Sequence, residues 1–428
     1  MTEGSLRRVV GIPGAVFMGL GSIVGTGLFV SLGIAAGVAG DLILLALPAA
    51  ALLALFNGLS SAQLAAVHPV SGGTYEYGNR EIGPATGFTA GWMFLLAKSA
   101  SAATAALGLG GYLLRLGGWE TTPGVVIALG GAGVLALTVL VVGGIGRSNL
   151  VNLGIVGVTL VVLALLLALG LGGAADAFRD FQPGAALGQE GAVRDVLFAT
   201  ALLFVAYTGY GRIATLGEEV KDPARTIPMA IWITLGTVAL LYMGVAAVAL
   251  GTIGVEAFAR ETRETAAPLD AVARAMEVRW LVPALGLAAI TAMASVLLNL
   301  ILGLSRVALA MARRGDLPAL LARVHPESGS PRPAVVATGG LILVLVLLGN
   351  VETTWTFSAF TVLIYYGITN LSALRLGPDR RLYPAIIPVM GLLGCFFLAF
   401  QVPVAVWLTG LGLLGLGHVG RWLLRRSG

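Results

Sequence analysis

Glycine interrupts two long apolar stretches of the chain at places where a membrane-spanning helix is usually continuous. The first stretch is GLGSIVGTGLF at 19–29, and the second is FVAYTGYGRIATLGEEV at 204–220. A backbone group left unpaired in hydrocarbon costs several kcal/mol, so a broken helix survives there only where it lines a cavity enclosed by protein. The two stretches therefore predict a binding site within a membrane protein.

The composition supports a lipid environment, because 57% of the residues are hydrophobic and 11% are charged. A helix needs roughly 20 apolar residues to cross a bilayer, whereas the strands of a membrane barrel are about half that length. The sequence thus predicts an all-α polytopic membrane protein with about twelve transmembrane helices. The predicted spans are 12–37, 42–67, 85–114, 125–144, 150–171, 196–217, 227–250, 281–311, 334–348, 355–374, 384–400 and 403–417.

Orientation follows from the connections, since Lys and Arg accumulate on the cytoplasmic side of a membrane protein. Of the 26 basic residues, seventeen fall on the side of the termini and seven on the other side, while Lys98 and Arg212 lie within spans. We therefore expect a multi-pass protein of the cell membrane with both termini in the cytoplasm. The first apolar run is too long for the core of a cleavable signal peptide, and we expect it to remain in the mature protein.

Several classes of chemistry find no support in the sequence. Cys395 is the single cysteine, and the three histidines are far apart, so neither a disulfide nor a metal-binding motif is indicated. No GxxxxGK[ST] loop is present to bind nucleotide. The net charge of +5 is accounted for by membrane topology rather than by nucleic-acid binding. We predict neither an enzyme nor a cofactor, and we expect membrane lipid as surroundings.

The loops that follow three of the apolar runs have a characteristic composition. These loops contain HPVSGGTYEYGNREIGPATGFTAGW at 68–92, EEVKDPARTIPMAI at 218–231 and SRVALAMARRGDLPALLARVHPESGSPRPA at 305–334. Together with GSIVGTGLF, they make the chain resemble the amino acid, polyamine and organocation transporter superfamily, and more closely its amino acid permease branch. The resemblance covers most of residues 11–376.

This resemblance implies a transporter core at 1–376 built from two five-helix halves of inverted topology, at 12–171 and 196–374. Residues 377–428 would then form two peripheral helices and a cytoplasmic tail. The glycine-interrupted helices would be the first helix of each half, which places them at the centre of an inverted-repeat transporter. The two halves would enclose one site and work by alternating access.

The resemblance also implies how substrate binds. The carboxylate would dock on N–H groups at the first break, and the ammonium would be held by carbonyl groups of the first and sixth helices. An N-terminal half-helix dipole near Thr26 favours a carboxylate on physical grounds as well. The residues carried over by motif are Ser22, Ile23, Gly25, Thr26, Gly27, Val205, Ala206, Tyr207, Thr208 and Gly209. The alternative is that these glycines only allow close packing of helices.

Lys98 is the one lysine that falls within a predicted span. A charge at that depth is costly, which makes it a functional candidate. Its position in the third helix corresponds to the edge of the substrate pocket in similar transporters, near Ala97 and Ala102. Lys98 would meet substrate and, by alternating between charged and neutral forms, couple a proton to transport. The alternative is a lysine whose long side chain reaches the interface.

The coupling ion is left open between two hypotheses. Some proton-coupled relatives have a lysine in the fifth helix, but Thr159 stands near that position here. Lys98 would then replace the missing amine as the proton carrier. The other hypothesis is a Na⁺ site between the first and eighth helices, formed by oxygens near Gly21, Val24, Thr291 and Ser295.

Two further features concern gating. Arg212 and Glu219 are two helical turns apart and form a candidate cytoplasmic gating pair, with a static ion pair as the alternative. Tyr207 and Tyr210 are candidates for an aromatic lid, with ordinary packing as the alternative.

The apolar pocket segments and the absence of a deep carboxylate favour a neutral L-amino acid as substrate. We predict proton-coupled uptake by secondary active transport. Na⁺ coupling or amino acid exchange is the nearer alternative, and an ion channel is the alternative from another class.

Overall fold

The computed structural model describes residues 10–68, 72–144, 149–214, 220–326 and 329–427. All regular structure in these ranges is helical, apart from one isolated bridge between Val10 and Val220. The helices are α1 (Ile12–Ile23), α2 (Leu32–Ala39), α3 (Ile43–Val67), α4 (Thr74–Glu81), α5 (Pro84–Gly117), α6 (Pro123–Val142), α7 (Asn149–Leu169), α8 (Leu171–Asp180), α9 (Pro183–Leu187), α10 (Ala192–Tyr207), α11 (Gly211–Ala214), α12 (Pro223–Ile253), α13 (Val255–Thr265), α14 (Pro268–Ala275), α15 (Leu281–Arg313), α16 (Arg332–Leu347), α17 (Val351–Arg375), α18 (Ile386–Ala399) and α19 (Val404–Ser427).

Proline and glycine set many of the helix ends. Pro84, Pro123 and Pro223 each occupy a first helical position, where the missing N–H group would have no partner within the helix. Gly118 and Gly254 follow the last residues of α5 and α12 with φ angles of 69° and 79°. These positive φ angles are accessible to glycine at little cost, so the sequence specifies where the helices stop.

The predicted spans are confirmed as helices. Within the described residues, nine helical segments are long and apolar enough to cross a membrane, and three more apolar helices are shorter. One of the nine, Gly27–Val67, includes both the second part of the first predicted span and all of the second. A turn at Gly40, where φ is 58°, separates these two parts. The chain is therefore an all-α polytopic membrane protein.

The third predicted span is the centre of the bundle. It is α5, which packs along α15, α17, α6 and α4. Its most apolar window is 89% buried, compared with 28% for α6 and 17% for α19. The outer helices expose large apolar side chains such as Val139 and Leu416. A surface of this kind suits lipid, and the central helices are therefore the ones that can line a site.

Short helices join the spans at both ends of the bundle. At one end, α4 connects α3 to α5, and the bridge of Val10 to Val220 joins the start of α1 to the segment before α12. In this bridge the backbone N–H of Lys221 donates to the carbonyl of Val10 over 2.9 Å. At the other end, α13 and α14 connect α12 to α15. The two broken spans are thus fixed to each other near their ends.

Candidate transport site

The first predicted interruption is an opened turn in the backbone. α1 ends at Ile23, and Val24 is extended, with φ −76° and ψ 95°. The chain then makes a wide π-type turn over Gly27–Ser31 before α2 begins. In this turn the N–H groups of Leu28 and Phe29 both donate to the carbonyl of Gly25, over 3.0 and 2.9 Å. We call residues 24–26 the first break.

The second predicted interruption is milder. α10 ends at Tyr207, a single 3₁₀ turn covers Thr208–Tyr210, and α11 continues from Gly211. The predicted interruption is therefore present, but in the described part of this span the helix tightens at the break instead of opening. The hydroxyl of Thr208 donates to the carbonyl of Val205 over 2.7 Å, which supports the tighter turn. We call Thr208–Tyr210 the second break.

The two breaks lie against each other. A Cβ atom added at Gly209 would stand 2.5 Å from the carbonyl oxygen of Ser22, and one added at Gly27 would stand 2.8 Å from the Cβ of Ala206. Neither position can hold a larger residue without movement of backbone or packed side chains. Glycine at both positions therefore permits the close approach of the two spans.

One tyrosine connects both spans at this point. The hydroxyl of Tyr242, in α12, lies 3.1 Å from the carbonyl oxygen of Ile23 and 3.2 Å from that of Ala206, so the two carbonyls share its single proton. Tyr242 is fully buried, and its ring centre is 5.1 Å from that of Tyr207. It satisfies the carbonyl that the turn after Ile23 leaves without its usual helical partner.

Lys98 reaches the second break from α5. Its Nζ atom donates to the hydroxyl of Thr208 over 2.7 Å. The carbonyl of Thr208 in turn accepts a hydrogen bond from the hydroxyl of Tyr366, in α17, over 3.1 Å. Thr208 is thus held by side chains from two other spans. The interfacial position that we considered as the alternative for Lys98 does not agree with this contact.

The other candidates of the third helix lie in a different contact. Ala97 and Ala102 are both fully buried in α5. The carbonyl of Ala97 accepts a hydrogen bond from Ser358, in α17, over 2.9 Å. This hydrogen bond joins α5 to α17 at Ala97.

The centre of the bundle is closed in this structure. Most residues that line the two breaks are buried, with Tyr207 and Tyr210 completely so, while Gly209 is of intermediate exposure. The exposed fractions of Ile23, Val24, Thr26, Val205, Ala206 and Thr208 are 3%, 4%, 4%, 4%, 4% and 3%. Substrate access would require movement at one face or the other, as alternating access demands.

The residues of the alternative Na⁺ site have separate surroundings. Gly21 packs against α7, since an added Cβ would lie 2.7 Å from Oδ1 of Asn152. The hydroxyl of Thr291 donates within its own helix, to the carbonyls of Leu287 and Ala288. The hydroxyl of Ser295 is buried and has no hydrogen-bond partner among the described residues. Val24 is buried in the first break.

The structure describes three of the four gating candidates. Tyr210, the last residue of the second break, is buried, and its ring packs against α17, with its centre 5.4 Å from that of Tyr366. Tyr207 points away towards α3, where its hydroxyl is 3.5 Å from the carbonyl of Leu47. Arg212 is exposed on α11. Glu219 lies outside the described residues, so the gating pair stays a prediction.

The sequence analysis missed Tyr242, Tyr366 and Trp355. The indole of Trp355 donates to the carbonyl of Leu202, in α10, over 3.0 Å. All three are aromatic side chains with a polar tip, and Tyr242 and Tyr366 lie inside apolar spans while Trp355 lies near the start of one. Buried tyrosine and tryptophan usually find a hydrogen-bond partner, so their depth was the signal that could have identified them.

Comparison with known proteins identifies the family of the chain. Residues 14–414 match the family model described as "Amino acid permease". An uncharacterized transporter of Mycobacterium tuberculosis is 43% identical over 99% of this chain and 93% of its own length. The branched-chain amino acid permease BcaP of Bacillus subtilis is 29% identical, over 95% and 90%. The human cationic amino acid transporter 4 is 30% identical, over 87% and 60%. The chain therefore belongs to the amino acid permease family.

Proposed function

We propose that the chain takes up neutral L-amino acids by secondary active transport, through alternating access at the two breaks. The observation that carries the proposal is the junction of Ile23 and Ala206, whose carbonyls share the hydroxyl of Tyr242 in a closed centre. A substrate ammonium offers stronger donors than this hydroxyl and would compete with it for the two carbonyls. Residues 12–171 and 196–374 would form the inverted repeats, and 377–428 the peripheral part.

The charge of the site supports a neutral substrate. Lys98 supplies a cation, and no carboxylate contacts either break in the described ranges. A cationic side chain buried there would lack a counter-charge, which is unfavourable in a membrane interior. The branched-chain permease among the relatives fits this inference, whereas the cationic transporter does not. We therefore rank leucine and alanine before arginine as substrates.

Proton coupling is the mechanism that the contacts support best. When charged, Lys98 donates to Thr208 and attracts a substrate carboxylate towards the breaks. When neutral, it loses that attraction, and its hydrogen bond to Thr208 becomes weaker, because a charged donor makes the stronger bond. Thr159 cannot replace it, because its hydroxyl donates to the carbonyl of Ile155 in its own helix over 2.8 Å.

Na⁺ coupling is the second candidate, and the buried hydroxyl of Ser295 is the observation in its favour. A Na⁺ ion needs several converging oxygens. Thr291 directs its hydroxyl to its own helix, and α15 meets the first break through Val296, which would lie 2.6 Å from a Cβ added at Gly25. We therefore rank Na⁺ coupling second.

Uptake into proteoliposomes, with H⁺ and Na⁺ gradients imposed separately, tests the proposal. We expect an inward proton gradient to drive saturable uphill uptake of leucine, and a Na⁺ gradient to have no effect. Lys98→Met should abolish the response to the proton gradient. Lys221→Met is the matched control, since Lys221 is exposed and the structure shows only its backbone in contacts.

Three results would contradict parts of the proposal. Uptake driven by Na⁺ alone would exclude proton coupling. Unchanged pH dependence in Lys98→Met would exclude Lys98 as the carrier. Strong competition by arginine, with none by leucine or alanine, would reverse the substrate order.

We further propose that the protein resides in the cell membrane with both termini in the cytoplasm. The support is the excess of basic residues in the connections on the side of the termini. Labelling a single cysteine placed near either terminus, in Cys395→Ala, with an impermeant reagent tests the orientation. Labelling in intact cells would contradict it.

A further inference from the structure

A group of arginines surrounds two hidden carboxylates at one end of the bundle. The carboxylate of Glu76, in α4, lies 2.6 Å from a guanidinium nitrogen of Arg314 and 3.5 Å from one of Arg80. The carboxylate of Asp316 lies 2.7 Å from Nε of Arg421, in α19. Arg425 also binds Asp316, over 3.0 Å. We call the four arginines Arg80, Arg314, Arg421 and Arg425 the arginine cluster.

The two halves of the cluster are joined through Tyr75. Its hydroxyl donates to the second oxygen of Asp316 over 2.8 Å, and the guanidinium of Arg314 lies 5.7 Å from the centre of its ring. Burial and the bond to Asp316 raise the pKa of Tyr75, so it remains a neutral donor. The cluster is therefore one continuous structure that ties α4, the end of α15 and α19 together.

The charges within the cluster do not balance. Among the described residues, four guanidinium groups meet two carboxylates, which leaves an excess of two positive charges. The side chains of Glu76 and Asp316 are 9% and 1% exposed. Those of Arg80, Arg314 and Arg425 are 44%, 44% and 48% exposed. The negative groups and Arg421, at 7%, are thus hidden, while the other three arginines face outwards.

The opposite end of α5 provides a contrast. There Arg115 and Arg274 both bind Asp270, over 2.8 and 2.6 Å, and Arg115 also approaches Glu261, over 3.6 Å. This network has two arginines and two carboxylates within the described ranges, so it is neutral. The 34 residues of α5 separate the two networks by about 50 Å at 1.5 Å per residue. Of these two networks, only the arginine cluster carries an excess of positive charge, and it lies at one face of the membrane.

The end of α19 indicates the level of the cluster in the membrane. Trp422 is half exposed, and the guanidinium of Arg426 lies 3.7 Å above its ring. Val419 and Leu423, on the same helix, are each 54% exposed and would face lipid. Exposed tryptophan is typical of the zone between hydrocarbon and water, where lipid headgroups lie. The arginine cluster, one helical turn away, is within reach of those headgroups.

We propose that the arginine cluster binds the phosphate group of an anionic phospholipid such as phosphatidylglycerol. Guanidinium groups match phosphate oxygens in pairs, and basic pockets between helices at the cytoplasmic face suit anionic headgroups. The lipid supplies the negative charge that Glu76 and Asp316 do not. It holds α19 to α4, so the last helix contributes to the stability of the transporter.

The test compares thermal unfolding of the purified full-length chain in nanodiscs of pure phosphatidylcholine and in nanodiscs that also contain phosphatidylglycerol. We expect phosphatidylglycerol to raise the Tm of the unmodified chain by several degrees. The double variant Arg80→Gln/Arg425→Gln should lose more than half of this increase. The control Arg274→Gln removes a similarly exposed arginine from the neutral network and should keep the increase.

The outcomes separate the sources of the phosphate group. An equal increase from inorganic phosphate in phosphatidylcholine nanodiscs would identify a free anion as the ligand and overturn the proposal. An equal increase in the double variant and in the unmodified chain would overturn it as well. If the double variant does not fold, native mass spectrometry of Arg425→Gln replaces it. Retention of as much phosphatidylglycerol as in the unmodified chain would then contradict the proposal.

Discussion

The two breaks differ in what holds them. The first break depends on close packing at glycine, because Gly25 and the adjoining Gly27 occupy positions where an added Cβ would lie 2.6 Å from Val296 and 2.5 Å from the hydroxyl of Tyr242. The second break is held by side chains from other spans, Lys98 and Tyr366. The difference suggests a fixed half and a movable half of one site. Changes in those side chains should then affect the conformational cycle more than the fold.

The largest effect should come from the fixed half. Gly27→Ala places a methyl group 2.5 Å from the Tyr242 hydroxyl and 2.8 Å from the Cβ of Ala206. Overpacking of this kind costs about 1–3 kcal/mol and shifts the surrounding backbone. We expect leucine uptake by proteoliposomes to fall at least tenfold. A tenfold fall in rate corresponds to an increase of roughly 1.4 kcal/mol in the activation free energy.

Gly236→Ala, in α12, is the control for that variant, since nothing lies within 4 Å of the added atom. It should transport at the unmodified rate. Equal transport by Gly27→Ala and Gly236→Ala would show that the first break does not need a close approach.

The junction between the halves should have the next largest effect. Tyr242→Phe removes the donor shared by the carbonyls of Ile23 and Ala206. An unpaired buried acceptor costs about 1–3 kcal/mol, so we expect a Tm decrease of several degrees and a several-fold loss of uptake. Tyr383→Phe, at a partly buried tyrosine between α17 and α18, should change neither. An unchanged Tm in Tyr242→Phe would contradict the assigned hydrogen bonds.

A substitution in the movable half should change the maximal uptake rate and lower the Tm less than a substitution at the junction does. Tyr366→Phe removes the donor to the carbonyl of Thr208, while Lys98 still holds the hydroxyl of that residue. We expect the maximal uptake rate to change about threefold, with a Tm decrease below that of Tyr242→Phe, since one acceptor is lost instead of two. A Tm decrease larger than that of Tyr242→Phe would reverse the assignment of fixed and movable halves.

Much of the fold could be predicted from the sequence, because lipid imposes long apolar helices and glycine marks the turns. The runs at 12–37 and 196–217 were predicted as helices with interruptions, and the structure has turns at Val24 and Thr208. The form of the second turn was not predictable, since TGYG permits either an open or a tight turn. Tyr366 and Lys98, which hold it, come from distant parts of the chain.

The same limit applies to the site. The motifs at the two glycine-interrupted stretches predicted site residues on the first and sixth spans, and these residues lie together in the structure. Tyr242 was not predicted, because the apolar run around it gives no periodic signal that separates a central face from a lipid-facing one. Lys98 could be identified from its depth in the predicted span alone, because a charge at that depth needs a partner in any arrangement of the helices.

The most direct test of a site shared by the two breaks is a structure of the protein with the L-amino acid that competes best in uptake. The account predicts density for the amino acid between residues 24–27 and 205–209, in contact with main-chain groups of both spans and displacing the hydroxyl of Tyr242. Density elsewhere, with the hydrogen bonds of Tyr242 to Ile23 and Ala206 intact, would contradict it.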